Sequence, residues 1–241
     1  MKKQQINLVI SNKGGCGKST LFYLFALANK HNPNALFVDC DFQTETSTRQ
    51  VSPFLDSSKF QTLKLIDERN VLQRDQIIGF WENLSATPDI DCFMDFGSAE
   101  SEGLLHLIED DLPFIEFANA VNQEFVFNVV VAGGAAYKAC VNYLVRLHSI
   151  LKGKFKIVVY ANLTSFSQFP ELHREIHNNV KKMNNTEIID WGNLQPSTFI
   201  DTQILDNIRR GGDISNLSIG PKLKLIRELK TNFNYEQEDS I

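Results

Sequence analysis

The sequence has few of the residue pairings that mark small stapled or metal-built folds. Its four cysteines, Cys16, Cys40, Cys92 and Cys140, lie 24, 52 and 48 residues apart, with no CxxC pair. That argues against a zinc ribbon or a paired-cysteine iron–sulfur site and for reduced, buried thiols. Nowhere are there the ~18 consecutive apolar residues of a membrane span. The amino-terminal MKKQQINLVISNKGG has an apolar stretch of only five residues, 6–10, before Ser11. This is too short for a secretory signal, so a cytoplasmic location is expected. There is no internal repeat and no low-complexity linker. Basic residues are not in excess: 24 Lys and Arg against 29 Asp and Glu leave a net charge of −5. This argues against a globally basic nucleic-acid coat and says nothing about local patches.

What remains is an ordinary globular composition, 43% hydrophobic and 22% charged over 241 residues. A chain of this length buries roughly 70–75% of its unfolded surface, enough for a core without staples. Short apolar runs at 6–10, 35–38, 91–96, 128–132, 155–160 and, more briefly, 187–189 read as strands. Helical periodicity occupies 19–29 and 137–151. Continuous rather than alternating apolar strands imply burial on both faces. The expected fold class is therefore α/β, a single doubly wound and mostly parallel sheet flanked by helices. Residues 44–84 are polar, mixed and the least readable part of the chain.

The sharpest motif is Ser11-Asn12-Lys13-Gly14-Gly15-Cys16-Gly17-Lys18-Ser19-Thr20, between the first strand and the first helix. This is the context of a phosphate-binding loop. Three glycines let backbone N–H groups approach an anion without Cβ clashes, and the helix start adds its positive dipole end. The expected phosphate-binding set is Gly14, Gly15, Cys16, Gly17, Lys18, Ser19 and Thr20. Lys18 is to reach the β- and γ-phosphates, and the Ser19 hydroxyl is to ligate Mg2+.

Asn12 stands where the strict pattern has its first glycine, and a second lysine, Lys13, precedes the glycine pair. KGGCGKST thus resembles the deviant Walker A motif of the ParA/MinD family of P-loop ATPases. The resemblance implies ATP and Mg2+ as cofactors, slow hydrolysis, and a homodimer in the ATP state. In that dimer Lys13 touches the partner's nucleotide, as an arginine finger would. Asp39 and Asp41, in Val38-Asp39-Cys40-Asp41, resemble the family's DxD segment. Asp39 is expected to hold Mg2+ through water, and Asp41 to orient the attacking water. Asp95 ends an apolar strand in the Walker B manner and would join Ser19 and Asp39 around the metal. The family's Asp-x-Pro is here Asp95-Phe96-Gly97. Asn162, at the end of a strand, and Pro196, in Leu194-Gln195-Pro196-Ser197, are the expected base-binding residues. The matching landmarks run from Ile6 to about Leu217, giving one P-loop ATPase domain over 1–233 and an acidic tail over 234–241.

Several branches of the family share this engine. An iron–sulfur carrier ATPase would carry a CxxC, and a bacterial tyrosine kinase a carboxy-terminal tyrosine cluster. Neither is present. The reading kept first is a partition ATPase of ParA type without an amino-terminal helix-turn-helix. It would bind DNA nonspecifically and position a plasmid or chromosome with a centromere-binding or other activating partner. Residues 205–233 hold six bases, Arg209, Arg210, Lys222, Lys224, Arg227 and Lys230, against three acids. Such a patch suits phosphate backbone. The alternatives are a MinD-like membrane or cargo positioner and a conjugation or plasmid-stability accessory ATPase. For the membrane, the stripe Leu223, Ile226 and Leu229 among lysines is the supporting pattern.

Overall fold

Apolar strands need cover on both faces, and the helices between them provide it. The computed structural model describes residues 3–41, 44–69, 71–87 and 89–236. Among them seven strands form one sheet: β1 (Gln4–Ile10), β2 (Ala35–Asp39), β3 (Phe60–Thr62), β4 (Asp91–Asp95), β5 (Gln123–Val131), β6 (Lys156–Asn162) and β7 (Thr186–Trp191). Their order is β3-β2-β4-β1-β5-β6-β7, and every pairing is parallel. The helices are α1 (Lys18–Asn29), α2 (Thr46–Val51), α3 (Arg74–Leu84), α4 (Ser98–His106), α5 (Phe114–Ala120), α6 (Tyr137–Leu151), α7 (Leu163–Phe166), α8 (Pro170–Val180), α9 (Phe199–Arg209) and α10 (Ile219–Asn232).

The register sorts the side chains into two cores. Phe37 on β2 lies opposite Phe93 on β4, and their rings stack at 5.0 Å. On that face α1 brings Phe22 and Phe25, and Phe233 closes over Phe25 and Tyr160. Phe125 and Phe127, two apart on β5, point to the other face. There Trp81 of α3, Phe114 of α5 and Phe155 gather around them. Edge-to-face aromatic pairs of this kind add about 0.5–1.5 kcal/mol each beyond area burial.

The strand order reverses around β1. In open parallel sheets ligands bind outside the carboxyl ends of the strands at such a reversal. The loop after β1 occupies this position here. Its neighbours in space are the ends of β2 and β4, because Cys40 N donates to Asp95 O and Phe96 N to Val9 O.

The expected strands are all present, and a seventh, β3, adds an edge within the stretch that was hardest to read. Of the α10 stripe, Ile226 and Leu229 are buried, with Leu225 beside them, while Leu223 is 46% exposed and Ile219 at the helix start 69% exposed. No helix among the described residues is long and apolar enough to cross a membrane. Of the acidic tail expected from residue 234, Tyr235 is buried against the core, and residues 237–241 lie outside the described residues. All four cysteines are unpaired and buried.

Candidate functional site

The loop after β1 owes its shape to two glycines with left-handed backbone, Gly15 at φ 73° and Gly17 at φ 110°. Gly17 is also sterically required, since a Cβ there would come within 2.8 Å of Asn162 Nδ2 and 3.3 Å of the Trp191 ring. It begins α1 without a side-chain cap, so the first-turn amides are left for another acceptor. Lys18 is buried, and its Nζ rests 3.2 Å from the Lys13 carbonyl and 3.3 Å from Ser98 Oγ. Lys13 itself is exposed.

Below the loop lie the strand-end carboxylates. Asp95 is fully buried. Its Oδ2 accepts from Ser19 Oγ at 3.0 Å and from Ser47 Oγ at 2.5 Å, while its Oδ1 has no partner among the described residues. Burial pushes the Asp95 carboxyl up to about 7, against the pull of Ser47 and Lys18. Asp39 is buried too. It accepts from Asp41 N at 3.0 Å with one oxygen, and from Thr48 N and Oγ1, both at 2.7 Å, with the other. Burial raises its pKa as well. Asp41 is held by Thr44, whose Oγ1 donates to it at 3.0 Å.

Glu100, in the first turn of α4, is a member of this group that the sequence reading overlooked. It is buried, and its Oε1 has no partner among the described residues. Its pKa is raised to about 7, chiefly by burial and further by the nearby Asp41. Asp41 and Glu100 meet over Gly97. A Cβ at Gly97 would strike Glu100 Oε2 and lie 3.0 Å from Asp41 Oδ1. This explains the glycine in Asp95-Phe96-Gly97: the carboxylates occupy the space a side chain would need. Together with Gly14, Gly15, Gly17, Lys18, Ser19, Thr20, Thr44, Thr46, Gln50 and Ser98, they line a cavity of about 480 Å³.

The site gathers four carboxylates beside the loop, and the charge of buried Lys18 acts on two of them, Asp95 and Glu100. Burial raises the Asp95 and Glu100 carboxyls to about 7, and one buried oxygen on each has no partner among the described residues. A divalent cation carrying a phosphate chain would satisfy such a donor set: Ser19 and Asp95 would hold the ion, and the glycine loop and Lys18 the phosphates. The residues present thus fit Mg2+ with a nucleoside polyphosphate.

Asn162 also reaches this loop, its Nδ2 donating to Cys16 O at 2.9 Å. Trp191, unremarked in the sequence, backs Asn162 against Gly17. Pro196 lies further out and is exposed. Its segment is joined to the end of β6 through Thr164 Oγ1, which donates to Leu194 O at 2.8 Å.

The six bases assigned to a DNA surface are not equivalent. Lys224 donates to Asp201 Oδ1 at 2.5 Å and to Asn193 O at 2.9 Å, so its charge is spent on a buried acid. Burial alone would push Asp201 up, but Lys224 and the Gln195 and Thr198 hydrogen bonds outweigh it and hold its carboxyl below the ordinary value. Asp201 lies just outside the 205–233 window, which is why the charge count missed it. Lys222 is half-buried. Arg209 pairs with Asp206 at 3.0 Å but stays exposed, as do Arg210, Arg227 and Lys230.

The sheet order, the glycine loop after the central strand and the helix it feeds define a P-loop NTPase-like α/β fold. No family model matches the chain, and no curated protein matches it in sequence. Among solved structures it is similar to a plasmid partition protein of Borrelia burgdorferi B31 bound to AMPPNP. That match has 13% identity, covers 95% of this chain and 98% of the other, and has a TM-score of 0.47. It is also similar to a ParA family ATPase of Chlorobium tepidum TLS (13%, 94% and 98%, 0.47) and to the MinD cell division protein of Aquifex aeolicus (18%, 99% and 98%, 0.45). At these identities the likeness concerns the fold, and the chemistry of this chain rests on its own side chains.

Proposed function

We propose that the chain is a Mg-ATP-dependent, dimerising ATPase of the ParA/MinD kind that positions or segregates DNA. The observation that carries this reading is the pair of lysines on one glycine loop. Lys18 is buried against the loop with Ser19 on Asp95, while Lys13 is exposed at the same loop's mouth. One lysine serves the chain's own phosphates, and the other is available to a partner's. Gly14 to Thr20 cradle the phosphates, and Ser19 and Asp95, with Asp39 behind them, hold Mg2+. The metal would neutralise phosphate charge, as in related phosphoryl transfer. Asp41, beside Glu100 at the cavity wall, orients the attacking water. Asn162 faces the base, with Pro196 beside it. Partners are a second copy, DNA backbone and an activating protein.

Exposed Arg209, Arg210, Arg227 and Lys230 form the proposed DNA contact. Backbone contacts carry no sequence information, so any duplex should serve. A dimer doubles the contact, so binding should require ATP. The test is co-sedimentation with random duplex DNA, with ATP and with ADP, over a salt series. The expected result is ATP-dependent binding that weakens by roughly 0.9 log units per log unit of salt for each phosphate neutralised. Replacing those four residues by glutamine should flatten the slope and leave ATP dimerisation intact. Wild-type protein that dimerises with ATP yet ignores DNA refutes the DNA part of the reading. Ile226 and Leu229 of the α10 stripe are buried, but Phe199, Ile200, Ile219 and Leu223 are exposed beside one another, so co-sedimentation with liposomes, with ATP and with ADP, tests the membrane alternative.

A further inference from the structure

At the β7 edge of the sheet, α8 carries His173 and His177, four residues apart and so on one helix face. Both face Asp190 of β7. His173 Nε2 lies 2.8 Å from Asp190 Oδ1, His177 Nε2 lies 2.9 Å from the same oxygen, and the two Nε2 atoms are 3.2 Å apart. Three potential ligand atoms thus converge on one point.

Hydrogen bonding accounts poorly for this convergence. A neutral imidazole has one N–H. If both Nε2 atoms carry protons to reach Asp190, two N–H groups crowd each other at 3.2 Å. If only one does, the other nitrogen turns a lone pair toward a carboxylate oxygen. A cation between the three atoms removes the conflict, because each then presents a lone pair to it. Two imidazole nitrogens and a carboxylate oxygen are a zinc-type donor set, with bonds of about 2.0–2.2 Å. In a tetrahedral site such bonds place ligand atoms about 3.3 Å apart, so the triad needs to open by only a few tenths of an ångström.

The surroundings suit a bound ion. The His173 ring packs on Phe166 at 5.4 Å, and Asn232 Nδ2 donates to the Asp190 carbonyl at 3.0 Å, so both supports are fixed. A cavity of about 360 Å³ opens over the triad, bordered by Arg174, Asn178 and Lys181. Three protein ligands with a fourth position open is the exchangeable zinc arrangement rather than the closed structural one. Two cationic side chains at the rim favour an anion or hydroxide in that position. We propose that His173, His177 and Asp190 form a divalent transition-metal site of the zinc class. It ties α8 to β7 one residue before Trp191, the ring that backs the phosphate loop. The inference is independent of the nucleotide reading.

The test uses the full chain, free of any histidine tag, stripped with chelator and kept without nucleotide or Mg2+. Titration with ZnCl2 by calorimetry should give one ion per chain and a higher melting temperature. CoCl2 should give visible d–d bands without a thiolate charge-transfer band, since the four cysteines are buried. Replacing both histidines (His173→Ala with His177→Ala), or Asp190→Asn alone, should weaken zinc binding at least about tenfold. His106→Ala, in the exposed His106, Glu109 and Asp110 group, should not. Circular dichroism checks that each variant is folded, and His177→Gln replaces the alanine variant if it is not. Folded wild-type protein that takes up no zinc overturns the proposal, and so does zinc binding that survives loss of both histidines.

Discussion

Asp95→Asn separates the cost of burying a carboxylate from the benefit of having one ready for a metal. The Asp95 carboxyl is raised from an ordinary 3.8 to about 7 by burial. A displacement of that size is worth on the order of 4 kcal/mol. Because the folded-state value lies above the unfolded one, the folded chain holds the extra proton between about pH 4 and pH 7. Stability contributed by this group is therefore greatest at low pH and falls as pH rises through that window. Asparagine cannot ionise. Its Oδ1 can still accept from Ser19 and Ser47, while its Nδ2 takes the place of the partnerless oxygen at a cost of about 1–3 kcal/mol at every pH. The variant should accordingly be somewhat less stable than wild type at pH 5, and should gain on it by about 2–3 kcal/mol by pH 8. For a chain of this size that is a relative shift of roughly 5–10 °C in melting temperature. Urea unfolding at pH 5, 6, 7 and 8, without nucleotide and with chelator, measures it. With Mg-ATP the order reverses. Wild type should gain about 2.7 kcal/mol at a hundredfold excess over its dissociation constant, and the variant much less. A stability gap that does not change with pH would refute the account of Asp95 as a buried, destabilising carboxylate.

Lys13→Ala should keep nucleotide affinity within about threefold, because the Lys13 carbonyl rather than its side chain serves Lys18. It should lose ATP-dependent dimerisation in size-exclusion chromatography and about 10³-fold in turnover. Asp41→Ala should bind ATP and dimerise but hydrolyse at least about 10²-fold more slowly, leaving a dimer that persists on the column; a monomer there contradicts the assignment. Glu100→Gln removes a proton-holding group whose pKa is about 7. If turnover needs the ionised Glu100, wild-type kcat should rise between about pH 6 and 8 and that rise should vanish in the variant; an unchanged pH profile would make Glu100 a packing residue only.

Much of the site could be read because its chemistry is local in sequence. The glycine loop, Lys18 and Ser19 are contiguous, and Asp39 and Asp95 end apolar strands. Other members depend on register and went unseen. Glu100 reaches the cavity only because α4 starts at Ser98 and turns its first acid back over Gly97. Ser47 and Thr48 sit in a polar stretch with no hydrophobic period, since α2 is short and is held by hydrogen bonds to carboxylates rather than by an apolar stripe. The edge strand β3 has three residues, of which only Phe60 packs on the core and two are exposed, so it leaves no apolar run to find. The histidine–aspartate triad joins a helix to the opposite edge strand. Its His-x3-His half is visible in the sequence, but Asp190 is paired to it only by the fold.

The carboxylates that face the loop also anchor the segment after β2. Asp95 holds Ser47, and Asp39 holds Thr48, so the first turn of α2 is fastened at two points beneath the phosphate loop. Ser19 and Ser47 share one Asp95 oxygen. On the proposed reading, Mg2+ at Ser19 draws on that same carboxylate, and the hold on Ser47 changes with it. Beyond α2 the contact is tight: a Cβ at Gly211, whose φ is 69°, would lie 2.5 Å from the Arg49 carbonyl and 2.7 Å from Pro53 Cγ. Gly211 directly follows Arg209 and Arg210. A contiguous path therefore leads from Ser19 through Asp95 and α2 to Gly211, next to two of the exposed bases. Packed interiors shift between discrete arrangements rather than deform smoothly, so on the proposed reading this path would couple nucleotide state to DNA affinity.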